Sequence, residues 1–163
     1  MVNEWLRPLL SVDTRLETDE FLSCIFDHFR NVYYSDKRYC GKSVRFQIFG
    51  QLNIHNPGFL HFVTHDSDHL HRNSSIDINR SLRIHWIEDI LKNHLDSEIL
   101  IYTKLTNREN RIHILLKEER YILVIAYDEA KGIYLIRTAF YIDSDGKLSS
   151  CLRDYRIYKT NMT

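Results

Sequence analysis

The sequence predicts an α+β fold in which helices pack on a four-stranded antiparallel β-sheet meander. Apolar residues in the first hundred positions mostly recur with the period of an α-helix, whereas those after residue 98 recur with the period of a β-strand. The four apolar runs of the second part are separated by only three to five residues. Such connections are long enough for hairpins and too short for the crossovers that parallel neighbours need, so an antiparallel meander follows.

Helical spacing is found in three segments. Residues 19–31 have an apolar stripe at steps of four, which predicts an amphipathic helix. A second helix is predicted from Asp77, a suitable N-cap, through residue 95. A third is predicted after the DSDG turn, over residues 147–159.

The remaining segments predict strands and turns. Residues 43–49 alternate apolar and polar side chains, as in a half-buried strand, and residues 51–58 contain Pro57 and Gly58, as in a turn. Residues 59–64 are predicted as a further strand. The four strands of the meander are predicted at 98–105, 111–117, 121–127 and 133–142.

Composition and charge narrow the function classes. The 163 residues include 22 basic and 22 acidic side chains, which argues against a protein that coats nucleic acid indiscriminately. Residues 1–99 carry 11 basic and 14 acidic side chains, whereas residues 100–163 carry 11 and 8, so a local basic face remains compatible with the sequence. Three distant cysteines without a C-x-x-C pair argue against a disulfide scaffold, and no signal peptide or membrane span is visible. A cytoplasmic location is therefore expected.

Nine histidines are a high count, and the densest group lies between His61 and His71. His61, His65 and His69 recur every four residues, with Asp66 and Asp68 between them, so on a helix they could share a metal ion. The run THDSDH approaches the H-x-H-x-D-H motif of metallo-hydrolases, but Thr64 and Asp66 stand where that motif requires histidines. The motif therefore does not establish a metal site, and two interpretations stay open at this point: one or two proton-transfer histidines with no cofactor, or a metal-dependent hydrolase.

A combination of motifs resembles the phage- and prophage-borne branch of the barnase–EndoU–colicin–RelE (BECR) nuclease superfamily. The motifs are IDINRSLRIHWIEDIL (76–91), RIHILLK (111–117), YILVIA (121–126), LIRTAFYID (135–143) and KLSSCLRDY (147–155). The chain departs from the pattern at His85, where proline is common, and at Phe140, where tyrosine is common. The resemblance covers residues 59–159. It implies a nuclease domain over 59–163, with residues 1–58 either an N-terminal helix-and-strand extension or part of the same core.

The resemblance implies a metal-independent endoribonuclease that acts as a toxin or phage-conflict effector, with RNA (tRNA or mRNA) as substrate and an antitoxin or immunity protein as a partner. Such cleavage uses the 2′-hydroxyl as nucleophile and needs a base, an acid and cations for the phosphorane charge. Histidine suits both proton roles and arginine suits the phosphate. The candidate site residues are His65, His69, Arg83, Arg111, Thr138 and Tyr141.

Each candidate has a stated role and an alternative. His65 or His69 could be the base or the acid, Arg83 and Arg111 could hold the phosphate, and Thr138 could donate to a phosphate oxygen. Tyr141 could stack on a base, although it faces the opposite side of its strand from Phe140. The hypothesis predicts that these groups converge on one concave face. The alternative is a non-catalytic module that uses the same fold to bind RNA or protein.

Overall fold

A computed structural model describes residues 3–65 and 75–163. Within them the chain forms five helices and six strands. The helices are α1 (Thr18–Tyr34), α2 (Pro57–Leu60), α3 (Ile78–Ser81), α4 (Trp86–Lys92) and α5 (Asp145–Met162). The strands are β1 (Arg38–Tyr39), β2 (Lys42–Phe46), β3 (Ile99–Thr106), β4 (Glu109–Leu116), β5 (Tyr121–Asp128) and β6 (Ile133–Tyr141).

The sheet corrects the predicted four-stranded antiparallel meander, although the α+β class holds. Six strands lie in the order β1-β2-β6-β5-β4-β3, and the sheet is mixed. Strands β3 to β6 pair antiparallel, as their short connections require, but β2 pairs parallel with β6, with Val44 opposite Tyr134. The prediction was wrong because it paired only strands that are neighbours in sequence, and about ninety residues separate β2 from its partner.

The single helix predicted from Asp77 to residue 95 is also wrong. Asp77 caps α3 as expected, because its side chain accepts a hydrogen bond from the backbone N–H of Arg80 at 2.9 Å. The helix then stops at Ser81, and α4 starts at Trp86. In an unbroken helix the carbonyl of Leu82 would accept from the N–H of Trp86, but here it accepts from the N–H of Leu10 at 3.0 Å. The break therefore depends on a segment far away in the sequence.

That segment, residues 5–10, is a strap that lies along α4. The carbonyl of Arg7 accepts from the indole N–H of Trp86 at 2.8 Å, and the ring Nε2 of His85 lies 2.7 Å from the carbonyl oxygen of Pro8. Arg7 of the strap also forms ion pairs with Glu88 and Asp89 of α4. The indole N–H of Trp5 donates a hydrogen bond to the carboxylate of Asp96. His85, where the resemblance expects proline, thus serves to hold the N-terminal strap.

Residues 59–64, predicted as a strand, instead contain the end of helix α2 and the turn that follows it. Asn56 accepts hydrogen bonds from the N–H groups of Gly58 and Phe59, and Pro57 occupies the first turn, where its missing N–H is harmless. After this turn Thr64 forms a single antiparallel bridge with Ile76. The N-cap and the N-terminal proline together determine a helix that the apolar run alone did not reveal.

Apolar side chains fill both faces of the sheet. The larger cluster lies against α1, α2 and α4, and includes Phe29 in contact with Phe46 and Phe59 at ring-centroid distances of 5.1 Å. Residues 1–58 therefore contribute to the same core as the rest of the chain. The smaller cluster joins β3 to β6 to α5, and consists of Leu115, Ile122, Val124 and Ile142 with Leu100, Phe140, Leu148, Cys151 and Leu152.

His113, in β4, makes the α5 side of the sheet sensitive to pH. Its ring stacks on Tyr102 of β3 at 4.8 Å, and its Nε2 is buried without a hydrogen-bond partner. Burial, followed by the positive charge of Lys104, lowers the pKa of His113 to about 4, while Asp154 opposes this shift and Arg111 adds to it. Because the folded protein disfavours the charged ring, His113 stabilises the fold above the unfolded pKa near 6.5 and loses that contribution as the pH falls toward 4.

We therefore expect His113→Phe to lose less stability than the wild type between pH 7 and pH 4.5. After allowance for the partial exposure of the ring, the difference should be about 1–2 kcal/mol. Urea unfolding at both pH values measures it, with His55→Phe, at an exposed histidine, as the control. Equal pH dependence of the wild type and the His113 variant would contradict the assignment.

Candidate functional site

The candidate site is built on a part of β6 that, within residues 3–65 and 75–163, has one neighbouring strand. Strand β2 pairs with β6 at Tyr134–Ile136 and then ends, and a β-bulge follows at Arg137. Beyond that point side chains, not a strand, approach the free edge of β6. Arg80 donates from Nε to the carbonyl of Ala139 at 2.8 Å, and Nε2 of His61 lies 3.1 Å from the carbonyl oxygen of Arg137. These two side chains satisfy carbonyls that would otherwise lack partners.

Arg80 is the central side chain of this edge. It is 7% exposed, and besides Ala139 it donates to the carbonyl of Thr64 at 3.0 Å and to the hydroxyl of Thr138 at 2.7 Å. Its guanidinium carbon lies 5.8 Å from the ring centre of Phe140. Burial lowers the pKa of Arg80, with the charge of Asp77 among the opposing influences, but its three bonding partners are neutral oxygens. Arg80 therefore holds Thr138 and the segment before residue 65 in place, as a structural cation.

Arg83, one turn further along, is placed differently. Its guanidinium carbon lies 4.4 Å from the ring centre of Tyr141 and 5.1 Å from that of Trp86. Nη1 donates to the carbonyl of Asn79 at 2.7 Å, whereas Nε is buried and has no hydrogen-bond partner among the described residues. Among the described residues no carboxylate forms an ion pair with it. Partial burial lowers the pKa of Arg83, and the guanidinium keeps donors that can bind an anion.

Two tyrosines next to Arg83 lie directly opposite each other on neighbouring strands of the sheet. Tyr121 and Tyr141 are cross-strand partners of β5 and β6, and both pack in the larger cluster. Tyr121 is fully buried, contacts Trp86 edge-on at 5.5 Å, and its hydroxyl has no hydrogen-bond partner. Burial raises the pKa of Tyr121 above its ordinary value, and the charges of Arg80 and Arg83 oppose that shift. Tyr141, unlike Phe140, thus lies on the same side of the sheet as Arg83.

His65 lies beside the same group of residues. Its Nδ1 is 3.4 Å from the carboxylate of Asp77, and its side chain is half exposed. The backbone N–H groups of His65 and Asp77 donate to the carbonyls of Ser75 and Val63, so the bridge at Thr64 holds the two side chains together. His69 lies outside the described residues, as do Asp66, Asp68 and His71. We refer to His65, Asp77, Arg83 and Tyr141 as the arginine–histidine site.

Arg111 does not join this site. Its cross-strand partner is Ala126, five residues after Tyr121 on an unbroken stretch of β5, so Arg111 faces the opposite side of the sheet from Tyr141. There its Nε donates to Glu109 at 2.9 Å. The structure therefore brings Arg83 and Tyr141 together, with His65 beside the Asp77 cap of α3. Thr138 pairs with Val124 of the smaller cluster, so Thr138 and Arg111 both face the other side of the sheet, and the predicted convergence on one face is wrong for these two residues. Only Arg80, which donates to the Thr138 hydroxyl at the edge of β6, connects Thr138 to the site.

Sequence reasoning missed three contributors to the site. These are Arg80, Trp86 and Tyr121, none of which is among the candidate site residues that the sequence predicts. The spacing of Arg80, Arg83 and Trp86 at steps of three is the signal that points to a shared face, because such residues are neighbours on helical turns.

Comparison with known protein families, with curated proteins and with solved structures finds no match for this chain. Within residues 3–65 and 75–163, no three histidine, cysteine, aspartate or glutamate side chains lie close enough together to hold a metal ion. Among the helices described, none has the length and apolar character needed to cross a membrane.

Proposed function

We propose that the chain is a metal-independent endoribonuclease whose active centre is the arginine–histidine site. The observation that carries the proposal is Arg83, a half-buried guanidinium held by two aromatic rings with no carboxylate partner among the described residues. Charged groups withdrawn from water are usually paired with an opposite charge. An anionic group of a substrate would supply the negative charge that Arg83 lacks among the described residues.

The neighbouring groups supply the rest of the chemistry. His65 directs Nδ1 toward Asp77, which leaves Nε2 to exchange a proton with the 2′-hydroxyl or the leaving 5′-oxygen. Arg83 binds the non-bridging phosphate oxygens and stabilises the charge that develops as the 2′-oxygen attacks phosphorus and the 5′-oxygen leaves. Tyr141 holds Arg83 by stacking, and its ring is partly exposed beside the site. A second proton-transfer group, for which His69 stays the prediction, completes the mechanism.

The biological setting that follows is an RNA-cleaving toxin or phage-conflict effector, restrained by an antitoxin or immunity protein, as the resemblance to BECR nucleases implies. A cytoplasmic location agrees with this role because the substrates, tRNA or mRNA, are found there. All three cysteines are free thiols, as a reducing compartment favours.

Cleavage of a labelled single-stranded RNA in excess EDTA tests the proposal. The wild type should produce 2′,3′-cyclic phosphate ends, and His65→Ala should slow cleavage by about 10²- to 10³-fold, because general acid–base catalysis contributes that much. His55→Ala, at an exposed histidine elsewhere, should cleave at the wild-type rate. The 2′-O-methyl form of the same RNA, which lacks the nucleophile, should remain intact. Cleavage of that form, or full activity of His65→Ala, would refute the mechanism.

A further inference from the structure

A row of basic residues crosses the sheet on the face opposite the arginine–histidine site. Arg45 of β2 pairs with Leu135 of β6, Leu135 with Ala126 of β5, and Ala126 with Arg111 of β4. Cross-strand partners point to the same face, and the flanking residues of Arg45 in β2 are buried in the larger cluster on the other face. Arg45 and Arg111 therefore share one face, three strand spacings or about 14 Å apart.

Arg137 lies between them because of the bulge in β6. Its guanidinium donates to both oxygens of Glu109, through Nη2 at 2.5 Å and Nε at 3.1 Å, and through Nη1 to Gln47 at 2.5 Å. Arg111 donates to the same carboxylate. The hydrogen bond from Arg137 is the largest of the influences that lower the pKa of Glu109. Glu109 thus holds the guanidiniums of Arg111 and Arg137 side by side, and its single negative charge offsets only one of their two positive charges.

The charges of this face do not cancel. Arg45, Arg111 and Arg137 carry three positive charges, against the negative charge of Glu109 and that of Asp128, which lies two residues beyond Ala126 on the same face of β5. Arg45 is exposed and makes no hydrogen bond or ion pair with any described residue, while the side chains of Arg111 and Arg137 are each 25% exposed. Lys104, the next residue of the row, is paired with Asp154 and adds no net charge. We call Arg45, Arg111 and Arg137 the arginine row.

We propose that the arginine row binds the phosphate backbone of single-stranded RNA outside the cleavage site. The choice of RNA as the occupant rests on the proposed function, and the charge of the row supplies the complementarity. Planar guanidiniums match phosphate oxygens in pairs, and Glu109 and Gln47 hold two of them in fixed orientations before RNA arrives.

The row is also continuous with the arginine–histidine site along β6. Arg137 is followed directly by Thr138, whose hydroxyl accepts from Arg80. Arg80 in turn lies one helical turn before Arg83. An RNA strand that crosses the free edge of β6 can therefore meet the row on one face and the cleavage site on the other. Arg111, expected from the sequence at the scissile phosphate, would then bind a phosphate further along the strand.

Binding of the uncleavable 2′-O-methyl RNA, followed by fluorescence anisotropy between 50 and 300 mM KCl, tests the row independently of catalysis. The variant is Arg45→Gln/Arg111→Gln/Arg137→Gln. The control is Arg15→Gln/Arg30→Gln/Lys92→Gln, which removes the same charge from three exposed basic residues outside the sheet. In the row variant the slope of log K against log salt should shrink by about 2, since each lost phosphate contact on a single strand accounts for ~0.7. Affinity at 100 mM salt should fall roughly tenfold or more.

The single variant Arg45→Gln removes no hydrogen bond or ion pair with a described residue, so its effect on folding should be small, and it should reduce the slope by about 0.7. The row is refuted if both variants bind RNA with the slope and affinity of the control triple variant, or if the wild type does not bind this RNA. If the wild type binds through the row but cleaves no RNA, the row stands and the proposed nuclease activity fails. If the wild type cleaves RNA but binds it independently of the row, the proposed nuclease activity stands and the proposal for the row fails.

Discussion

Arg83→Ala is expected to slow RNA cleavage by about 10²- to 10³-fold, since loss of one preorganised group that stabilises transition-state charge has an effect of that size. The guanidinium is held between the rings of Tyr141 and Trp86, so its position is fixed before substrate binds. Its only described hydrogen-bond acceptor is Asn79. Stability should therefore change little compared with activity. Initial rates on labelled RNA in EDTA measure the effect.

Two further variants test whether the slower cleavage depends on the planar guanidinium of Arg83. Arg83→Lys keeps the positive charge but loses the flat fork that stacks and binds two oxygens, so it should recover only a small part of the rate. Arg30→Ala, at an exposed arginine of α1, should leave the rate unchanged. If Arg83→Ala cleaved RNA as fast as Arg30→Ala, the arginine–histidine site would not be the active centre.

The second large effect is expected for a substitution of Arg80, which should lower the free energy of unfolding. Arg80→Met removes the donor for three oxygens and leaves the carbonyls of Ala139 and Thr64 without that partner. Leaving buried acceptors unsatisfied costs about 1–3 kcal/mol each, and methionine relieves the burial of a charge, so the net loss should be about 3 kcal/mol. Urea unfolding should show a lower midpoint with an unchanged slope.

Arg153→Met, at an exposed position of α5, provides the matched control and should change the free energy of unfolding by less than about 0.5 kcal/mol. Thr138→Val, which removes only the third acceptor, should have a smaller effect than Arg80→Met. A loss at Arg80 no larger than the loss at Arg153 would mean that the edge of β6 does not depend on this arginine.

Local patterns predicted the parts of the fold that depend on local contacts. Period-two apolar runs and short connections identified β3 to β6, and helical stripes identified α1 and α5. The parallel pairing of β2 with β6 and the break between α3 and α4 depend on partners about ninety and seventy residues away. A helix whose carbonyl is taken by Leu10 has the same apolar spacing as an unbroken one, so the sequence contains no sign of the break.

Part of the candidate site could likewise be predicted from the sequence. Arg83 and His65 could be selected because phosphate chemistry favours their residue types near a predicted helix start. The separation of Arg111 from Tyr141 could not be predicted, because it depends on the strand register, and a shift of one residue moves a side chain to the other face. The structural role of Arg80 was hidden for another reason. A buried cation and an exposed one look the same in a sequence when the acceptors are backbone carbonyls.

The strap at residues 5–10 has a consequence for the order of events during synthesis. Its partners are α4 and the residues around it, and β2 pairs with β6, so both sets of contacts form only after partners about eighty to ninety residues further along have been synthesised. Contacts this distant in sequence slow folding, because loop-closure entropy is lost before they form. The hairpins of β3 to β6 can form earlier, but Trp86 finds the carbonyl of Arg7 only when the first and the middle parts of the chain meet. Residues 5–10 are thus fixed in place well after they have been synthesised.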